Sequence, residues 1–178
     1  MVIREAMLSD AAGIAKVHVD TWRSTYRGII PDARLESLCY ETAADAARQR
    51  LGDTVSGSFT LVADTGHEVV GFAGAGPARE GEVPRTGELY AIYVLDTHQR
   101  IGIGRLLVRA VVTRLLAQGM CSLLVWVLKD NPARAFYGRL GGEVLGSKTI
   151  NIGGRDLEEV SYGWEDMAVV LDLTHEQQ

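Results

Sequence analysis

The chain of 178 residues is poor in several things, and each shortage removes a class of protein. It has two cysteines, Cys39 and Cys121, far apart in sequence, without CxxC spacing and set among apolar residues. A disulfide framework or a thiolate metal site needs paired or clustered cysteines, so these two read as reduced, buried thiols of a cytoplasmic protein. Long apolar runs are also missing. The first ten residues carry Arg4, Glu5 and Asp10, unlike a signal peptide, and nothing approaches the roughly 20 apolar residues of a membrane span. No membrane partner is expected. There is no basic excess either: the net charge is -5 and the arginines are scattered, whereas nucleic-acid binding needs a concentrated basic face. Histidines and carboxylates never fall at metal-ligand spacing, and His98 stands alone, so no metal is expected.

What is present suits an ordinary α/β protein. The length fits one domain over residues 1–178, and 47% hydrophobic with 23% charged residues is a globular rather than a disordered composition. Residues 2–6 can form a strand. Ser9 or Asp10 then caps a helix that presents Ile14, Val17, Thr21 and Trp22 on one face and ends near Tyr26 and Arg27. Two short helices follow, around Leu35 and Leu38 and over residues 42–51. The period then changes to two. Residues 59–63 and 69–73 read as a hairpin, residues 76–87 as a loop, 88–95 as a strand, 104–118 as an amphipathic helix, and 122–128 as a strand. A helix from Pro132 to Leu140 and a final hairpin over 144–152 and 157–164 complete the order.

The sharpest local feature is the passage from strand to helix at Gln99, Arg100, Ile101, Gly102, Ile103 and Gly104. Two glycines let successive backbone N–H groups converge on one anion, and the helix that starts there adds its positive dipole end. A Walker A loop would need Lys and then Ser or Thr after the last glycine, but Arg105 and Leu106 follow; Leu107 stands where a dinucleotide fingerprint needs a third small residue. Neither phosphate motif applies, and by itself such a turn can be structural.

A second motif, Asn131, Ala133, Phe136, Tyr137 and Gly141, lies downstream. Together with QxxGxG at Gln99, Gly102 and Gly104, it resembles the GNAT superfamily of acetyl-CoA-dependent N-acetyltransferases. The resemblance covers residues 61–162; Trp22, Tyr26, Arg27, Gly28 and Pro31 further resemble a WxxxYRGxxP pattern of some members. It implies a GNAT fold, mixed α/β, with a central, mostly antiparallel, splayed sheet flanked by helices. In the splay between the fourth and fifth strands, Ile92, Tyr93 and Val94 would pair with the pantetheine arm of acetyl-CoA. Residues Arg100 to Arg105 would hold the pyrophosphate, with Gln99 in the turn, while Asn131, Ala133 and Phe136 would line the cofactor path.

The resemblance also implies roles in chemistry. Tyr137 would act as acid toward the departing thiolate, and Glu88 would take the proton of a primary amine, directly or through water. Trp22, Tyr26 and Tyr90 are candidates for the acceptor wall; Glu88 and Tyr90 share a strand face by the two-residue period. A small-molecule amine is the expected acceptor, with direct attack in a ternary complex. Acetylation of a protein or peptide, and a non-catalytic acetyl-CoA sensor, are the alternatives. One departure is Gly142, which follows Gly141 where the family often has Phe, and this should weaken one packing contact. Residues 157–171 are expected to offer an edge for a homodimer.

Overall fold

The computed structural model describes residues 1–53, 57–79 and 86–173. Its strands are β1 (Val2–Glu5), β2 (Phe59–Asp64), β3 (Val69–Pro77), β4 (Thr86–Val94), β5 (Ser122–Leu128), β6 (Glu143–Ile152) and β7 (Arg155–Trp164). The helices are α1 (Ala11–Thr25), α2 (Asp32–Glu36), α3 (Tyr40–Gly52), α4 (Ile103–Ala117), α5 (Arg134–Arg139) and α6 (Val169–Leu173). All seven strands join one sheet in the order β1-β2-β3-β4-β5-β7-β6. Only β4 and β5 run parallel, because α4 makes the crossover that a parallel pair needs.

That parallel pairing is short. Thr86, Gly87 and Glu88 pair with Ser122, Leu123 and Leu124, and beyond this point the two strands part. From Leu89 to Val94 on one side and Val125 to Leu128 on the other, each strand keeps its opposite neighbour but loses the inner one. The splay therefore exposes two facing rows of backbone donors and acceptors in the middle of the sheet.

Two apolar clusters hold the layers. The larger joins the sheet to α4 through Ile103, Leu107, Val108, Val111, Val112 and Leu115, one stripe at helical spacing. The smaller sits under the end of α1, where Val19, Tyr26, Ile30, Leu35, Leu38, Leu128 and Leu157 meet. At the N-terminus, Arg4 ties the layers by bridging Asp10 at 2.7 Å and Asp64 at 2.7 Å. Asp10 stands at the N-cap of α1, as expected, but its side chain makes no capping bond to that helix; it accepts the Met7 N–H at 2.7 Å instead and closes the 3₁₀ turn that precedes α1.

Three expectations are corrected. The thiols are not both buried: Cys121 is exposed, and the half-buried Cys39 donates to Glu41 at 2.6 Å. Residues 157–171 form no sheet edge, because β7 lies between β5 and β6 and the chain then turns into α6; the edge strands are β1 and β6. Gly142 is also no weak point. Its missing Cβ makes room for the Trp164 indole, whose Cζ2 would stand 2.6 Å from a Cβ at that position. Trp164 fixes itself there by donating its Nε1–H to the Leu140 carbonyl at 2.7 Å. The loop expected over residues 76–87 lies partly outside the described residues; β3 runs on to Pro77 and β4 starts at Thr86.

Candidate active site

A cleft of about 910 Å³ opens where β4 and β5 separate. At one mouth is the turn into α4. Gly102 is its N-cap with φ 93°, a left-handed conformation that a side chain would strain, and Arg100 has φ 62°. Alternation of left-handed and ordinary residues in a turn converges N–H groups on one point, which makes an anion nest at the positive end of α4. Gln99 pins the turn to the end of β4 by donating to the Val94 carbonyl at 2.9 Å and to Asp96 at 3.0 Å. Arg100, Ile101, Gly102, Gly104 and Arg105 line the cleft here, while the Ile103 side chain is buried in the core, leaving only its backbone for a ligand.

The next stretch is built by β4, β5 and α5. Ile92, Tyr93 and Val94 line one wall, where β4 keeps β3 on one side and has lost β5 on the other, and Ala133, Phe136 and Tyr137 line the opposite wall. Asn131 is buried: its side-chain oxygen accepts the Ala133 N–H at 2.8 Å and its amide donates to the Tyr26 hydroxyl at 3.2 Å. One side chain thus shapes the start of α5 and locks it to α1. The Tyr137 ring packs between Phe136, 5.5 Å away, and Tyr162, 5.8 Å away. Burial pushes the Tyr137 hydroxyl well above the usual range of a phenol, with the neighbouring Tyr93 adding to the effect. It therefore stays protonated at every working pH and can serve as a donor.

The far end is aromatic and polar. Trp22 on α1 and Tyr26 at its C-cap meet as tilted rings 5.0 Å apart, and His18 meets both Trp22 at 5.1 Å and Tyr93 at 5.6 Å. Burial lowers His18 to about 4, assisted by the positive charges of Arg50 and Arg34, so this ring is neutral near pH 7. The Thr21 hydroxyl is buried here without a hydrogen-bond partner among the described residues. The buried Trp22 indole N–H also lacks one at bonding geometry, with the Tyr93 hydroxyl among its polar neighbours.

The cleft brings together every expected site residue except Ile103, which contributes backbone alone, and Glu88. Glu88 is 2% exposed, and its carboxylate accepts the Arg79 backbone N–H at 2.9 Å and the Arg79 guanidinium on its other oxygen. Arg79 also covers the Tyr90 ring at 4.7 Å, so Glu88 and Tyr90 do share a face, yet only Tyr90 lines the cleft. The expected base is thus ion-paired with Arg79 and does not line the cleft.

Sequence reasoning missed Thr21, Thr25, Trp126, Ile152 and Glu159, all of which line the cleft. Thr21 and Thr25 continue the ridge of Trp22 and Tyr26 and were legible by helical spacing. Trp126 and Glu159 become neighbours only through the β5–β7 register, which no local pattern announces. Among the described residues, no group of three His, Cys, Asp or Glu could hold a metal, and no helix is long and apolar enough to cross a membrane.

A family model described as FR47-like protein matches residues 78–150, the span from β4 to β6 that builds the cleft. The uncharacterized N-acetyltransferase YuaI of Bacillus subtilis is 40% identical over 173 residues, with 97% of this chain and 98% of YuaI covered. The chain belongs to the GNAT superfamily of N-acetyltransferases. It is accordingly an acyltransferase, and its seven-stranded, mostly antiparallel open sheet is the GNAT fold. A second relative, the L-methionine sulfoximine/L-methionine sulfone acetyltransferase of Pseudomonas aeruginosa, is 32% identical over 149 residues, covering 81% of each chain. The same fold recurs in the PaiA N-acetyltransferase of Thermoplasma acidophilum, solved with coenzyme A, at TM-score 0.69 and 20% identity over 89% of this chain and 96% of PaiA.

Proposed function

We propose that this GNAT enzyme transfers the acetyl group of acetyl-CoA to the primary amine of a small molecule by direct attack in a ternary complex. The observation that carries the reading is the continuity of the cleft: an anion nest at Gly102, the side of β4 along Ile92 to Val94 that has lost its β5 partner, the Tyr137 hydroxyl, and an aromatic chamber beyond it. A nest suits pyrophosphate, and open strand edges suit the amide-bearing pantetheine arm. PaiA, solved with coenzyme A in the same fold, supports this choice of cosubstrate. The aromatic lining of Trp22, Tyr26, Tyr90 and Trp126 suits a small acceptor. The Pseudomonas aeruginosa relative, named for two small amino acid derivatives, points the same way.

In this scheme the ammonium first gives a proton to water, and the free amine attacks the acetyl carbonyl. The carbon–sulfur bond breaks, and the thiolate leaves toward Tyr137, whose proton is replaced by the second one that the nitrogen sheds on becoming an amide. The Tyr137 hydroxyl hydrogen-bonds that sulfur and is its proton source; a donor placed at developing charge contributes on the order of 10²-fold in rate. No acyl-enzyme is formed. The test is a thiol-release screen with acetyl-CoA against L-methionine sulfone, L-methionine sulfoximine, other amino acids, polyamines, aminoglycosides and peptides. Release that depends on a small amine, without acetylated protein before the acceptor is added, is the expected result. Binding of acetyl-CoA with no release across the panel would replace the reading by a sensor, and activity confined to peptides by a peptide acetyltransferase.

A further inference from the structure

The acceptor end of the cleft has a charge to settle. A primary amine arrives as an ammonium, with a pKa of about 10, and taking that cation out of water without a counter-charge costs several kcal/mol. Glu88 does not line the cleft, and its carboxylate is paired with Arg79. Among the described residues lining the cleft, Glu159 is the one acidic side chain.

The register of the sheet brings it there. Glu159 stands opposite Leu128 on β5 and Lys148 on β6. The two-residue period puts it on the face of Leu157, which packs with Val19, Tyr26 and Leu128 beneath α1. Its charge is felt across the splay by the Tyr93 hydroxyl on β4. The surroundings already accept an ammonium: Lys148 Nζ lies 4.2 Å from the Trp126 ring centroid. Trp22, Tyr26 and Trp126 offer further ring faces to a cation inside the cleft.

We infer that Glu159 is the carboxylate that receives the ammonium group of the acceptor, which confines acceptors to small cationic amines. This rests on the reading that the aromatic end of the cleft takes the acceptor. Lys148 is its register partner on β6, and the bound ammonium approaches from the cleft side.

The experiment titrates the intact protein, saturated with CoA, with n-butylammonium chloride and separately with n-butanol, and reads tryptophan fluorescence, since Trp22 and Trp126 line the cleft. In wild type, butylammonium should bind at least about ten-fold more tightly than butanol. Glu159→Gln should reduce that preference to about two-fold or less without changing butanol affinity, and Glu159→Asp should recover part of it. Glu158→Gln, one residue away but bonded to Lys129 at 2.6 Å outside the cleft, should keep the full preference. A preference of equal size in wild type and Glu159→Gln overturns the assignment, as does wild type that binds the two probes equally or not at all. An ammonium preference that depends on Glu159, in a protein that acetylates none of the screened amines, would sink the transferase reading while leaving this site standing.

Discussion

Replacing His18 by Phe should flatten the fall of stability below pH 6.5. In the fold His18 titrates at about 4, because its ring is packed between Trp22 and Tyr93 and faces the charges of Arg50 and Arg34. In the unfolded chain it titrates near its ordinary value of about 6.5. Between these two values the unfolded chain holds a proton that the fold refuses, so stability is full above about pH 6.5 and drains as pH falls toward 4. At about 1.4 kcal/mol per pH unit, less an allowance for the part of the ring that meets solvent, the loss is about 2 to 3 kcal/mol. That is a large share of a typical stability of about 5 to 15 kcal/mol. Phe keeps the two ring contacts and cannot protonate. Urea unfolding from pH 4 to pH 7.5 should therefore give curves that converge at pH 7 and separate steadily below 6.5, with His18→Phe the more stable at pH 4. Parallel curves over the whole range would refute the buried, neutral imidazole.

Other outcomes follow from single contacts. Arg4→Met should lower stability more at pH 7 than at pH 3: the Arg4 hydrogen bonds hold Asp10 below the usual carboxylate range, a contribution present above about pH 4 and lost as Asp10 protonates, as acid unfolding would show. Gly142→Ala should cost about 1 to 3 kcal/mol in chemical denaturation, because a Cβ there meets Trp164 within 2.6 Å and the indole is tethered to Leu140. Gly102→Ala meets no atom within 4 Å, so its effect is confined to the backbone at φ 93°. It should raise the KM for acetyl-CoA by about ten-fold with little change in kcat, the signature of a disturbed phosphate nest in steady-state kinetics.

The cofactor half of the cleft was legible because its chemistry is local. Gln99, Gly102 and Gly104 act through a turn within a few residues of one another, and Asn131 to Tyr137 lie on a single turn and helix, so short-range spacing carries the message. The strands and helices were legible for the same reason, apart from details of caps and ends. The acceptor half depends on pairing between distant strands. Glu88 has the right type and position for a base, but its carboxylate is paired with Arg79, nine residues earlier. Glu159 has no motif around it and reaches the cleft only because β7 inserts between β5 and β6. The same insertion removed the dimer edge expected over residues 157–171 and placed Trp164 against Gly142.

The direct test of the central claim is the kinetics of Tyr137→Phe with acetyl-CoA and whichever amine the thiol-release screen identifies. The ring keeps its packing against Phe136 and Tyr162, so affinity for acetyl-CoA should stay within about two-fold of wild type, while kcat falls on the order of 10²-fold. An unchanged kcat would contradict the account by removing the Tyr137 hydroxyl from the departure of the thiolate.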